Sequence, residues 1–228
     1  MPRGFLHDDV LLSTETARSL YHGVAAGLPI VDLHNHLASA DVAGDRVFAT
    51  LTELWLEDDH YKWRAMRQAG VDERLVTGDA DPWERFAAWA GALPGLVRNP
   101  LYLWTHLELR RVFGIGLTLS PATAREIWEE AGRQLPTLSA RTLLERFRVA
   151  VIATTDDPAD ELAAHAALRD EGGRPRMIPT FRPDAAHRLL DDPPAWVSWA
   201  DRLGSSAGLA VTDLDSLLEA LTRSHARF

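Results

Sequence analysis

The chain has 228 residues, 46% hydrophobic and 25% charged, enough for one large domain or two small ones with a sizeable core. Its formal net charge of −9 argues against a nonspecific nucleic-acid binder, and with no cysteine any metal must be held by histidine and carboxylate. No stretch is long and apolar enough for a bilayer span, and Met1 to Asp9 turns acidic without an apolar signal core, so the expectation is a cytoplasmic protein with no membrane partner.

In chain order, Ser13 is a candidate N-cap for a helix through Leu20 and Val24 that stops at Gly27. Pro29 to Leu37 follows as a strand whose polar residues come at its end. The next hundred residues read as helices. One covers Thr50 to Leu56. A second is capped by Asp58 or Asp59 and ends at Gly70. Others open at Asp81-Pro82, at Asn99-Pro100 and at Ser120-Pro121, because proline suits the first helical position. The Asn99-Pro100 helix, ended by Gly114, is apolar around most of its surface and is expected to be buried. Ser139 caps a further helix to Phe147.

The pattern then changes. Val149 to Ala153 is an apolar strand ending in Thr154-Thr155-Asp156-Asp157-Pro158, with a helix predicted from Pro158 to about Arg169. Met177 to Phe181 is a third strand, ending in Arg182-Pro183-Asp184. Helices around Ala195 to Leu203 and from Asp213 onward complete the order. Strands alternating with helices predict a parallel sheet. Each strand's polar cluster lies at its C-terminal end, where β/α barrels collect their active-site loops. No glycine-rich phosphate loop follows the first strand, which weakens a dinucleotide-binding alternative. Three strands make less than half a barrel, since eight βα units take roughly 200 to 250 residues.

The opening strand carries the sharpest chemistry. In an extended chain, Asp32, His34 and His36 share one face, and two neutral imidazoles side by side can ligate one divalent metal. The triplet alone equally describes a strand with two histidines at its wet end.

Longer blocks carry a resemblance to the uronate isomerase (glucuronate isomerase) family of the amidohydrolase superfamily. They are Asp32 to Leu37, Leu51 to Arg67 with its His60-Tyr61-Lys62-Trp63-Arg64-Ala65-Met66-Arg67 core, Phe86 to Ala90, Asn99 to Ile115, Thr154 to Pro158, and Pro179 to Asp184. The His-x-His element is common to the superfamily, whereas the block around Tyr61 is highly specific.

The resemblance implies an α/β fold: the N-terminal part of a distorted (β/α)₈ TIM-type barrel, one partial barrel domain over 1–228 with residues 38–148 as a helical insertion after strand 1. It implies reversible aldose–ketose isomerisation of hexuronates, glucuronate to fructuronate and galacturonate to tagaturonate. It implies that His34 and His36 bind a divalent metal, zinc first among the candidates, that Tyr61 reaches over the site as a catalytic group, and that Arg182 binds the substrate carboxylate with His60 close by. The partner expected is a hexuronate, with self-association favoured by open sheet edges.

Duller alternatives stand beside these roles. Tyr61 can simply pack the start of its helix. Arg182 can pair with Asp184 or Asp157. Asp156 and Asp157 resemble a metal or base pair, but an aspartate before Pro158 is an ordinary helix cap, and the cap is the expectation. Asp32 suits a role behind a histidine. His106 is expected to be a satisfied core histidine, and Trp55, Trp63, Trp89 and Trp104 to be packing rather than sugar platforms. His165 has no visible site context.

Family members run to roughly twice this length, and their late strands supply an aspartate ligand and further substrate-binding residues that find no counterpart here. The alternative expectation is therefore a truncated, catalytically silent chain acting at most as a binding or association module.

Overall fold

The computed structural model describes residues 5–228. In chain order its helices and strands are α1 (Glu15–Gly23), β1 (Ile30–Asp32), α2 (Ser39–Ala43), α3 (Leu51–Leu56), α4 (His60–Gln68), α5 (Glu73–Val76), α6 (Pro82–Ala92), α7 (Pro100–Phe113), α8 (Ala124–Gln134), α9 (Ala140–Arg146), β2 (Val149–Asp156), α10 (Ala163–Asp170), β3 (Arg176–Phe181), α11 (Pro193–Ala207) and α12 (Leu214–His225).

Most helix starts are set by a side-chain oxygen accepting from an otherwise unpaired backbone N–H. Thr50 caps α3, Asp59 caps α4, and Asp81 and Asn99 cap α6 and α7 just ahead of their prolines. Gly114 closes α7 at φ 69°, a left-handed conformation that costs glycine little. Asp213 and Ser216 cap α12 reciprocally.

Three starts differ from expectation. Thr14, not Ser13, caps α1. The helix expected at Ser120-Pro121 begins at Ala124, because the Thr123 hydroxyl bonds the Thr118 carbonyl and receives the Ser120 N–H, folding those residues into a turn. The helix expected from Pro158 begins at Ala163, because Asp157 caps a turn through the Ala159 N–H instead.

The chain divides into two units. The first joins residues through Gly27 to Val47–Ser139 and is helical apart from an isolated bridge between Val47 and Ser139. Its centre is aromatic. Trp89 and Phe86 are fully buried, Phe86 lies 5.0 Å from Trp128, and the Arg125 guanidinium sits 3.5 Å above the Trp83 ring. Stacked rings and a cation over an indole face add specificity to area burial. Trp55 and Trp89 are core as expected, but Trp104 is 51% exposed, since α7 turns Leu101, Thr105, His106, Leu109, Val112 and Phe113 inward and Trp104 lies off that stripe.

The second unit, Leu28–Arg46 with Ala140–Phe228, holds the parallel three-stranded sheet in the order β1-β2-β3. Ile152, Leu168, Met177 and Val42 bring β2, α10, β3 and α2 together in one apolar cluster. Trp199, Ala200, Leu203 and Ala220 form another between α11 and α12. A Cβ at Gly204 would lie 2.5 Å from the Leu209 carbonyl oxygen, so this close chain reversal demands glycine. Among the described residues no helix is long and apolar enough to cross a membrane.

Candidate functional site

The sheet presents the ends of its strands along one edge, because all three run parallel. β1 ends at Asp32, earlier than the expected Leu37. The next residues stay tied to β2 nonetheless: the Asn35 N–H donates to the Ala153 carbonyl at 3.3 Å, and the Thr155 hydroxyl donates to the Asn35 carbonyl at 2.8 Å. Asn35 also receives the Leu37 N–H on its own side chain and reaches the Asp32 carboxylate at 3.4 Å, while the His34 N–H reaches the same carboxylate at 3.3 Å. The segment is thus a short loop folded around two carbonyl-type side chains.

In that loop His34 and His36 meet. Their Nε2 atoms are 3.2 Å apart and their rings stand nearly perpendicular at 89°. Two nitrogens bound to one tetrahedral zinc at about 2.05 Å each are separated by about 3.3 Å. The pair therefore fits a divalent metal as two of its donors. Among the described residues no set of three or more His, Cys, Asp or Glu side chains is grouped to hold a metal, so these two supply only part of a ligand set.

The register of β2 and β3 pairs Thr155 with Thr180, and two residues beyond Thr180 stands Arg182, so the alternation of extended chain gives all three the same face. Its N–H donates to the Asp156 carbonyl at 3.1 Å, and its half-exposed guanidinium donates to Asp184 through Nε at 2.7 Å. The nitrogens at the end of the fork keep Arg182 equipped for a two-pronged hold on a carboxylate.

Behind this edge lies a polar cluster that sequence reasoning missed. Thr154, Asp156 and His165 are all buried. The Thr154 hydroxyl lies 2.7 Å from the Asp156 carboxylate and 2.7 Å from His165 Nε2. Burial lowers the His165 pKa, against the opposing pull of Asp156 and Asp160. The available signal was the i,i+3 spacing of His165 and Leu168, which turns both to the buried face of α10. Asp157 is occupied structurally, receiving the Trp199 indole N–H at 2.7 Å.

Tyr61 and His60 belong to the first unit, in the first turn of α4. Tyr61 is exposed and its ring lies 5.0 Å from that of His60. Asp59 holds this turn: Oδ1 accepts the Tyr61 and Lys62 N–H groups at 2.9 and 3.1 Å, and Oδ2 pairs with the buried Lys62 ammonium at 2.6 Å. On α7, burial raises the Glu108 pKa while the Lys62 charge lowers it. His106 is the satisfied core histidine expected: Nδ1 lies 2.6 Å from the Tyr102 carbonyl and Nε2 accepts the Leu119 N–H at 2.9 Å.

Comparison with known proteins bears on the chain as a whole. The glucuronate isomerase family model matches residues 2–228. The uronate isomerase of Solibacter usitatus is 47% identical over 226 residues, covering 98% of this chain and 48% of that protein. That of Bacteroides thetaiotaomicron is 46% identical over 229 residues, covering 99% and 49%. Among solved structures, uronate isomerase from Thermotoga maritima superimposes with a TM-score of 0.90 at 37% identity, over 99% of this chain and 49% of that one. Glucuronate isomerase from Caulobacter crescentus gives 0.86 at 28%, over 98% and 49%. The chain spans about half the length of the curated relatives it matches. With a family match over essentially its whole length, the chain belongs to the glucuronate isomerase family.

Proposed function

We propose that the chain acts as the N-terminal part of a uronate isomerase, in the opening portion of a distorted β/α barrel, converting glucuronate to fructuronate and galacturonate to tagaturonate. The family match carries the activity, and the 3.2 Å approach of His34 and His36 at the end of β1 carries the site.

The reaction moves a hydrogen between C1 and C2 through an enediol. That needs a base at the carbon and stabilised charge on the neighbouring oxygens. Arg182 binds the substrate's carboxylate, which fixes the sugar's far end while C1 and C2 react. Tyr61 offers a hydroxyl that donates to, or exchanges a proton with, a sugar oxygen, and His60 beside it contributes a second polar contact. His34 and His36 are the residues that would hold a divalent cation, zinc being the one the family resemblance implies; when bound it would supply Lewis-acid stabilisation of oxygen charge and orient the substrate. Asp32 fixes the loop that carries the two histidines through the His34 N–H.

The incomplete ligand set among the described residues favours a second reading, in which these 228 residues alone are catalytically silent and at most bind metal or sugar acid. Incubation of the chain with zinc and glucuronate, followed by NMR, separates the two. Ketose product supports an active chain; its absence, while a full-length relative turns over in parallel, supports the silent one.

A further inference from the structure

The buried cluster behind the sheet edge admits one order of donors and acceptors that suits every distance in it. As a carboxylate, Asp156 only accepts. Its Oδ2 takes the Thr154 hydroxyl at 2.7 Å and the Thr180 N–H at 3.3 Å. Thr154 has one hydroxyl proton and three acceptors in reach, the Asp156 carboxylate, His165 Nε2 and, at 3.3 Å, the Ile178 carbonyl; with that proton on Asp156 its oxygen accepts from the one neighbour able to donate. That neighbour is His165 Nε2, also at 2.7 Å, which must then carry a hydrogen. The other ring nitrogen is compatible with this: His165 Nδ1 is buried with no hydrogen-bond partner, so a proton there finds no acceptor.

The order His165 to Thr154 to Asp156 ends where β3 is fastened. The Thr180 N–H lands on the Asp156 carboxylate and the Arg182 N–H on the Asp156 carbonyl at 3.1 Å. Beside the ladder of β2 and β3, Asp156 therefore receives two N–H groups of the strand end that leads to Arg182, that of Thr180 on its carboxylate and that of Arg182 on its main-chain carbonyl, and the orientation of the carboxylate depends on a hydroxyl oriented by an imidazole.

We propose that His165 is a positioning residue: as the Nε2–H tautomer it orients Thr154, Thr154 orients the Asp156 carboxylate, and that carboxylate holds the Thr180 N–H, two residues before Arg182. The consequence for substrate rests on the reading of Arg182 as the uronate carboxylate's partner. Nothing in this role requires His165 to touch substrate.

Amide hydrogen exchange in the chain, read residue by residue by NMR, tests it. His165→Leu keeps the apolar bulk and removes the donor; exchange protection at Thr180 is expected to fall about tenfold, the size of one lost buried hydrogen bond, with Ile152 unchanged. His165→Gln can place an amide N–H near the same point and should stay within about twofold of the parent. Thr154→Val should match His165→Leu, Thr154→Ser should not, and the double variant His165→Leu/Thr154→Val should be no worse than either single one, as expected for one relay. The Thr154 pair also decides the matter should His165→Leu fail to fold. The proposal is overturned by unchanged protection in a folded His165→Leu or Thr154→Val variant, by His165→Gln losing as much as His165→Leu, or by additive losses in the double variant. Glucuronate titration separates the underlying reading: Arg182→Gln without weaker glucuronate binding removes Arg182 as carboxylate partner, while the exchange data still decide whether the relay holds the strand end that leads to it.

Discussion

The Thr155 hydroxyl donates to the Asn35 carbonyl at 2.8 Å, joining the loop that carries His34 and His36 to the middle strand of the sheet. β1 itself is only three residues long, and its pairing with β2 shifts register between Ile30 and Val31. The positions of the two imidazoles therefore depend on the ties beyond the strand, the Asn35 N–H to the Ala153 carbonyl and the Thr155 hydroxyl among them. Thr155→Val keeps the shape and removes that tie. The expected result is a roughly fivefold weaker affinity for zinc, from about 1 kcal/mol of lost hydrogen bonding, with unfolding little changed. Calorimetric zinc titration of the two proteins checks it; equal affinities would show that the loop is held by other means.

His34→Ala should abolish specific zinc uptake rather than merely weaken it. With two imidazole donors at 3.2 Å and no grouped third donor among the described residues, removal of one leaves a single side chain. Zinc content after dialysis, measured by atomic absorption on parent and variant, decides it. Undiminished zinc in the variant would place the metal elsewhere.

Arg182→Lys keeps the charge but replaces a planar fork with a point charge. Its existing bond to Asp184 uses Nε, so the parent guanidinium can hold Asp184 and a second carboxylate together. The variant is expected to bind glucuronate about tenfold more weakly, and a titration with the neutral sugar glucose should show no such difference. A glucuronate affinity that survives the change would assign the carboxylate to another residue.

The first turn of α4 offers a stability test. Asp59 caps two N–H groups and pairs with a buried ammonium. Asp59→Asn retains a capping oxygen and loses the charge, whereas Asp59→Ala loses both and leaves the buried Lys62 ammonium without this carboxylate. The expected order of stability is parent, then Asn, then Ala, with the alanine variant lower by about 2 to 4 kcal/mol in urea unfolding. Equal losses for the two variants would mean that the charge pair contributes nothing beyond the cap.

Several features of this molecule are legible one residue at a time. Asp81-Pro82 and Asn99-Pro100 announce helix starts because an oxygen acceptor followed by a residue without an N–H suits that position and few others. The three strands and their polar ends follow from apolar runs that stop at Thr154 and Arg182. The turns at Ser120 and Asp157 did not, because the same capping side chains serve turns and helices equally well, and only the following residues' packing chooses. The His34 and His36 pair was visible from spacing, although a loop rather than a strand brings the rings together. His165 was invisible as a partner of Asp156 because the hydroxyl between them, Thr154, is eleven residues away in sequence, and its neighbours on α10 are apolar.

The buried histidines predict how stability depends on pH. His106 uses both nitrogens in its neutral form, Nδ1–H to the Tyr102 carbonyl and Nε2 as acceptor from Leu119, and burial lowers its pKa from the ordinary 6.5. Protonation would place a second N–H against the Leu119 N–H and bury a charge. The folded chain therefore holds this proton less tightly than the unfolded chain does. Stability from His106 is fully present above about pH 6.5 and declines as pH falls from there through the lower folded-state value, because the unfolded state binds more protons across that interval. His165, whose pKa burial also lowers, contributes in the same direction. Urea unfolding at pH 7.5, 6.5 and 5.5 should show a progressive loss. His106→Phe should be less stable than the parent at pH 7.5, since the Leu119 N–H loses its acceptor, yet should lose less on acidification. A variant with the parent's full pH slope would mean that His106 does not titrate in this interval, and would leave the slope to His165 and the remaining groups.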